Sequence, residues 1–574
     1  MRTLTLLFIF LVQLVNAQNK SKYQTFFEKG NGNTSANYQE ILRFYKMLDT
    51  DFETIKVVDK GVTDSGERLQ MVIFSANNDF NFTNKNKTVV LINNGIHAGE
   101  TDGIDASMQL FRDLATGKYK ISDNLLVVAI PVYNIGGCLN RNTTTRVNQN
   151  GPEEYGFRGN GRNFDLNRDF IKSDTKNAKS FVEIFHLVNP TVFIDNHVSN
   201  GADYQYVLTY IMTEPKKLGT VLGNFMSTIM TPSIVSDLKL KTIDSSPYVN
   251  VDGTVPEKGF AQFFDSPRYT TGYASLFNCV GFVVETHMLK NYAKRVAATF
   301  EFMKSTLNFV QKNDVELKKK VVENRKQFLP KAKYALKWSI DSLKVSKIPF
   351  LGYQSGYKKS EVTAGNRLFY DQKIPFEKQI DFFGDYKCTK EIVIPDFYIV
   401  PKSFWTVTDL LKLNKISYSL LKIDTVIDVE SYRILDYKTF KNPYEGHYPH
   451  FNTEVQKSVE LRKFFKGDFL ISTKQLGVKY LLETLEPEAV DSFFNWNFFD
   501  TILQQKEGYS DYVFEDLASD YLKNNTEIRT RFEQKKATDK NFAENPAAQL
   551  DWIHKNSPYY EKAHFSYPIY RILN

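Results

Sequence analysis

The sequence predicts an α/β fold over its first 330 residues, a mixed and mostly parallel sheet flanked by helices, followed by a second domain that is mixed α/β or β-rich. Three observations carry this. First, short runs at 88–92, 125–130, 191–195 and 280–285 are rich in β-branched and apolar residues and are bounded by Asn, Gly or Pro. Continuous apolar runs of that length suit strands buried on both faces. Second, helical patterns at 103–114, 176–187 and 216–230 lie between them, and strands alternating with helices produce covered, largely parallel sheets. Third, a long charge-studded helical stretch at 291–327 runs toward Pro330, beyond which aromatic and β-branched residues alternate from Tyr334 onward. A proline stops a helix, and a composition shift beside it marks a boundary. The chain divides accordingly into a leader at 1–17, a domain at 18–330 that includes the long helix, and an accessory domain at 331–574.

The leader is predicted from one basic residue, Arg2, an apolar run at 4–12, and Val15 and Ala17 at the positions that precede a cleavage site. The run is about a dozen residues, short of the roughly 20 needed to span a bilayer, so it reads as a secretory signal peptide rather than an anchor. The protein is expected to be exported, periplasmic or extracellular, with no transmembrane segment once the leader is removed. No disulfide lattice is expected, because the three cysteines, Cys138, Cys279 and Cys388, have no framework spacing.

In the accessory region the sequence predicts strands at 391–394, 397–400 and 418–421 and helices at 407–413, 478–485 and 510–524. The aromatic run Phe493, Phe494, Trp496, Phe498 and Phe499 reads as core. Lysines 318–320 read as a solvated helix face, and His447-Tyr448-Pro449-His450 as an ordinary loop.

Composition narrows the chemistry. In 574 residues, 73 Lys and Arg stand against 66 Asp and Glu, a net +7 too diffuse to form a phosphate-binding footprint. Nucleic acid is not expected as a partner. Only eight histidines are present, so any metal site must be drawn from a short list.

That list yields one constellation. The strand at 88–92 ends in Asn93-Asn94-Gly95-Ile96-His97-Ala98-Gly99-Glu100, where a His and a Glu three apart follow a strand end. The strand at 191–195 delivers His197 at its own C-terminal end, 97 residues after Glu100. Sites in α/β sheets gather at strand C-termini. Two His and one Glu form the three-ligand set of a catalytic zinc with one position left for water.

Between these elements lies Gly161-Arg162-Asn163-Phe164-Asp165-Leu166-Asn167-Arg168, and farther on Gly281-Phe282-Val283-Val284-Glu285-Thr286-His287. With His97-x-x-Glu100, Asp165-x-Asn167-Arg168, His197 and the strand-terminal Glu285 in this order, the N-terminal half resembles the zinc metallocarboxypeptidases of the carboxypeptidase A type. The resemblance implies that fold and one Zn²⁺ on His97, Glu100 and His197, with Asp165 supporting His97. Asn167 and Arg168 would receive the free C-terminal carboxylate of a peptide substrate, and Glu285 would serve as general base and acid. The arginine that polarises the scissile carbonyl is best matched by Arg146, with Arg141 and Arg158 as rivals. Either Tyr269 or Tyr273 matches the substrate-capping tyrosine. His287, two residues beyond Glu285, reads as a structural histidine.

The implied activity is hydrolysis of C-terminal peptide bonds by water activated with zinc. Two alternatives stand beside it: a zinc amidase or deacylase acting on cell-wall peptides or N-acyl amino acids, and a catalytically inactive secreted peptide-binding protein.

Overall fold

The computed structural model describes residues 22–573; the leader at 1–17 lies outside them. Among the described residues, eight strands form one sheet, and their order follows from which ones can be buried. Strands β1 (Ile55–Val62), β2 (Arg68–Ser75), β3 (Thr88–Asn94), β4 (Leu125–Ile130), β5 (Val192–Val198), β6 (Leu208–Met212), β7 (Ser245–Pro247) and β9 (Val280–Thr286) run β1-β2-β4-β3-β5-β9-β6-β7 across it. The central β4-β3-β5-β9 block is parallel throughout. Every residue of β3, β4 and β5 is buried, as expected for parallel strands covered on both faces. The outer pairings β1/β2, β2/β4 and β6/β9 are antiparallel, and the exposed side chains of β1 mark the sheet's edge.

Helices supply the two cover layers. Asp102–Ala115 and Tyr292–Arg325 pack on each other. Lys176–Val188 starts at Thr175, whose hydroxyl accepts from the Ala178 amide, and stops where Asn189 turns left-handed at φ 46°. Both are recognised helix-terminating chemistry. Asn291 caps the long helix by accepting from the Lys294 amide.

One expected helix is broken. The segment 216–230 is not continuous: Pro215–Leu218 and Thr220–Phe225 are separated by Gly219 at φ 120°, and a wider turn at Met226–Met230 leads into Thr231–Leu240. A Cβ at Gly219 would collide with the Asn324 side chain, so the break is where this segment crosses the long helix. Periodicity alone carries no mark of that crossing.

The region beyond 330 is β-rich, with a small helical cluster inserted before its last strand. Its strands include two long hairpins, Ser346–Lys359 with Asn366–Phe383 and Thr425–Thr439 with His450–Phe464. The first pairs with β8 (Phe260–Ala261) of the N-terminal half. It also receives the Gln205 side-chain amide on the carbonyls of Gly352 and Phe376, at 2.8 and 2.9 Å. The two halves share one apolar core, in which Phe181, Tyr273 and Leu276 are contiguous with Tyr398, Tyr480 and Trp496. Phe493, Phe494, Trp496 and Phe499 are buried in it. Among the described residues no helix is long and apolar enough to cross a membrane.

A candidate metal and catalytic centre

Sheet register builds the site. β3, β5 and β9 are adjacent and parallel, and the pairing sets His197 opposite Glu285. Side chains from separate stretches of chain therefore leave the sheet at one end. Gly95, at φ 63° and with Ile104 where a Cβ would stand, lets the chain turn off β3 so that His97 folds back over the strand ends. The Glu100 amide then donates to the His97 carbonyl at 2.8 Å, which brings Glu100 beneath the imidazole.

His97, Glu100 and His197 are all buried, and their ligating atoms lie within 4.8 Å of one another. The two Glu100 oxygens face the two Nδ1 atoms, at 3.1 Å for His97 and 3.0 Å for His197. Each Nε2 is held by a carboxylate on its outer side: Asp165 at 3.1 Å from His97 and Asp195 at 2.7 Å from His197. Carboxylates on the outer nitrogens fix both rings with Nδ1 directed at one point. Two imidazoles and a carboxylate converging there are the donor set of a three-ligand zinc site.

The charges of the cluster depend on one another. Burial drives Glu100 upward, yet His97, Arg146 and His197 override it and hold the carboxyl well below its ordinary value. Burial likewise opposes charge on His197, but Asp195 and Glu100 raise it well above the usual imidazole range. Asp165 is half-buried, and against the desolvation this brings, His97, Arg158 and Arg168 keep it far below the carboxylate range.

A cavity of about 210 Å³ opens over this cluster, lined among others by Glu285, Asn167, Arg168, Arg158, Tyr248 and Tyr269. Burial pushes Glu285 up to about 8, against the pull of His197, with Glu100 and Asp195 adding repulsion. Its Oε2 is buried without a partner, and so is Oδ1 of Asn167. Unpartnered buried polar atoms are costly unless something else satisfies them. Here both line one cavity.

The arginines separate by position. Arg141 pairs with Glu154 and the Ser35 hydroxyl, away from the cavity. Arg146 places Nη2 3.1 Å from Glu100 Oε1 and Nε on Gln149, but is absent from the cavity lining. Arg158 does line it, with Nη2 2.8 Å from Asp165 and Nη1 3.8 Å from Glu100. The tyrosines separate by burial. Tyr273 is fully enclosed and donates its hydroxyl to Asn414. Tyr269 lines the cavity, with the Arg168 guanidinium 4.6 Å above its ring.

His287 is buried outside the cavity, 3.1 Å from Asp203. His447 and His450 have separate partners, Asp174 and Asp500. Cys138 and Cys279 are buried and Cys388 is half-buried, none of them bonded to another; burial pushes the Cys138 thiol up to about 12. Lysines 318–320 are paired along their helix with Asp314 and Glu323. Sequence reasoning missed Asp195 and Tyr248. The signal for Asp195 was present, since it lies two residues before His197 and therefore on the same strand face.

Residues 41–190 match the zinc carboxypeptidase family. Over these residues the chain is similar to the zinc carboxypeptidases. The matched segment takes in His97, Glu100, Asp165, Asn167 and Arg168 and ends before His197 and Glu285. Over 427 residues the metallopeptidase is 21% identical to carboxypeptidase 2 of Trichophyton rubrum, an alignment covering 71% of this chain and 73% of the relative. The carboxypeptidase A structure from Helicoverpa armigera aligns at 14% identity and a TM-score of 0.35, over 48% of this chain and 73% of that one. The metallo-carboxypeptidase structure from Pseudomonas aeruginosa in complex with (2-guanidinoethylmercapto)succinic acid aligns at 11% identity and 0.37, over 49% and 70%.

Proposed function

We propose that this metallopeptidase is an exported zinc carboxypeptidase that removes residues from the C-terminus of peptides. In this reading His97, Glu100 and His197 hold one zinc, and Glu285 handles the proton. The observation that carries it is one cavity joining the three convergent ligating side chains to Glu285, Asn167 and Arg168. Export is inferred from the leader at 1–17.

A zinc ion there would polarise a scissile carbonyl and lower the pKa of water. Glu285 would take the proton from the attacking water on its free carboxylate oxygen and return one to the leaving amine nitrogen. Arg168, flanked by Asn167 and laid over Tyr269, would meet the terminal carboxylate with its planar fork, a geometry that suits two parallel charge-assisted bonds. The Asn167 side-chain NH2 would donate to the same carboxylate, which leaves its unpartnered Oδ1 for the peptide N–H. Tyr269, not Tyr273, is positioned to close over the bound residue, because a tyrosine whose hydroxyl is locked in the core cannot swing.

For the carbonyl-polarising arginine the geometry favours Arg158 over Arg146. Removing one donor from an oxyanion site costs about 10²–10³ in kcat. Arg158→Ala is expected to lose that much, whereas Arg146→Ala, which removes a guanidinium paired with Glu100 outside the cavity, should change kcat much less at saturating zinc. Steady-state kinetics at controlled free zinc separates the two; the reverse ranking restores Arg146 to the role.

The reading as a whole is tested with N-blocked dipeptides and the same dipeptides amidated at the C-terminus. Charged hydrogen bonds contribute roughly 1.5–3 kcal/mol each, so amidation is expected to lower kcat/KM by about 10- to 100-fold. No hydrolysis of any free-carboxylate dipeptide, with turnover of murein peptides or N-acyl amino acids instead, would transfer the site to the amidase alternative.

A further inference from the structure

The hairpin Thr425–Thr439/His450–Phe464 is rooted in the six-stranded sheet of the C-terminal half, yet its connecting loop ends against the candidate site. At its tip Tyr444 and His447 bond to each other through their backbones, and Glu445 and Gly446 between them are both left-handed, at φ 49° and 78°. Two such residues form the tight turn that matches strand twist. A left-handed conformation is uncommon for a glutamate, so this side chain is held by its surroundings. The Phe164 ring lies 3.2 Å from where a Cβ on Gly446 would stand, and His447 Nε2 is 2.7 Å from Asp174. Glu445 itself accepts the backbone N–H of Asp165 at 2.9 Å.

Asp165 opens the short turn Leu166–Arg168. Its own carboxylate accepts the Asn167 amide at 2.9 Å and faces His97. The amide held by Glu445 thus lies at the root of the segment that carries Asn167 and Arg168. A second acid of the C-terminal half grips the facing segment: Asp491, fully buried, accepts from the Arg268 amide at 3.0 Å and from its Nε at 2.7 Å. Arg268 directly precedes Tyr269. Trp496 closes the assembly, with the Arg268 guanidinium 4.9 Å over its ring and its Nε1 donating to Asp491 at 3.3 Å.

We infer that the C-terminal half positions the substrate-binding wall of the peptidase site: Glu445 sets the Asp165–Arg168 turn and Asp491 sets Tyr269, so that the Arg168–Tyr269 pair stands ready for a C-terminal carboxylate. Glu445 touches no reacting atom and is a positioning residue. Burial pushes Glu445 above its ordinary value, the Asp165 amide it accepts pulls it back, and repulsion from the Asp165 carboxylate is offset only in part by Lys172 and Arg168. That contact therefore gains geometry rather than charge complementarity. The inference rests on Asn167 and Arg168 being the carboxylate-recognising pair.

Three full-length proteins test it: the parent, Glu445→Ala and Glu445→Gln. The amide oxygen of Gln still accepts an N–H, whereas Ala offers nothing. With an N-blocked free-carboxylate dipeptide, Glu445→Ala is expected to raise KM about tenfold, the factor that corresponds to about 1.4 kcal/mol, with kcat changing less than twofold and zinc content unaltered. Glu445→Gln should restore the parental KM. In parallel, amide exchange within 160–170 should accelerate in Glu445→Ala and not in Glu445→Gln. A parental KM in Glu445→Ala, or Glu445→Gln as impaired as Glu445→Ala, overturns the inference, as does a common loss of kcat, zinc and melting temperature. If the parent turns over no dipeptide, the peptidase reading fails on its own, and the exchange rates still decide whether Glu445 holds the turn.

Discussion

Glu285→Gln is expected to keep its zinc and lose about 10³- to 10⁴-fold in kcat, the upper range for removal of a positioned acid–base group. The substitution keeps the size of the side chain and the hydrogen-bonding capacity of one oxygen, so substrate binding and the β5/β9 register should be undisturbed. What it removes is the ability to accept a proton. Glu285 stands across from His197 at the end of β9, with Oε2 unpartnered and the group pushed up to about 8 by burial and by neighbouring carboxylates. A divalent cation on His97, Glu100 and His197 would counter that repulsion and favour the ionised form, the form a base requires. Metal analysis beside steady-state kinetics of the purified variant makes the check. A zinc-loaded Glu285→Gln with parental kcat would exclude Glu285 as the proton carrier. A KM that moves with kcat would place Glu285 in binding instead.

The residues that proved legible in the sequence are those whose position depends on strand ends. The β-branched runs at β3, β5 and β9 carry their own signal, because both faces are buried and apolar residues fill them. Where such a strand stops, the next polar residues project from the sheet's end, and His97, His197 and Glu285 could be read as candidates with no knowledge of the packing. Choices that depend on depth were not legible. Tyr269 and Tyr273 are four residues apart, and only the core around Asn414 decides that Tyr273 is locked while Tyr269 faces the cavity. Arg146 and Arg158 lie in one loop-rich stretch, where neither helical nor strand period says which guanidinium enters. The contact of Glu445 with Asp165 spans 280 residues of chain, and nothing in the local pattern of a Pro-Tyr-Glu-Gly-His turn announces its partner. A break such as that at Gly219 has the same origin: the long helix crosses there, and long-range packing overrides a helical period.

Removal of the metal should abolish turnover entirely, with recovery on addition of zinc. It should also lower the melting temperature, because an ion bound only by the native state stabilises it by mass action, about 4 kcal/mol when free zinc is 1,000 times its dissociation constant. Asp195 and Asp165 orient the two imidazoles for that ion. Each holds an imidazole by Nε2, at 2.7 and 3.1 Å, while Nδ1 faces Glu100. A neutral histidine has one nitrogen to donate from and one to coordinate with, and an anionic acceptor on Nε2 assigns the coordinating role to Nδ1. Asp195→Asn leaves an oxygen to accept that proton but removes the charge that raises the basicity of the ring, and such outer partners typically account for 10- to 100-fold in metal affinity. Asp165→Asn should follow in the same direction, and more is lost there, since Asp165 also accepts from Arg158 and from the Asn167 amide. Chelator competition of the three proteins at one pH measures the affinities directly. Unchanged zinc affinity in Asp195→Asn would mean that His197 is oriented by the backbone of β5 alone, and that the buried carboxylate beneath it serves the fold rather than the metal.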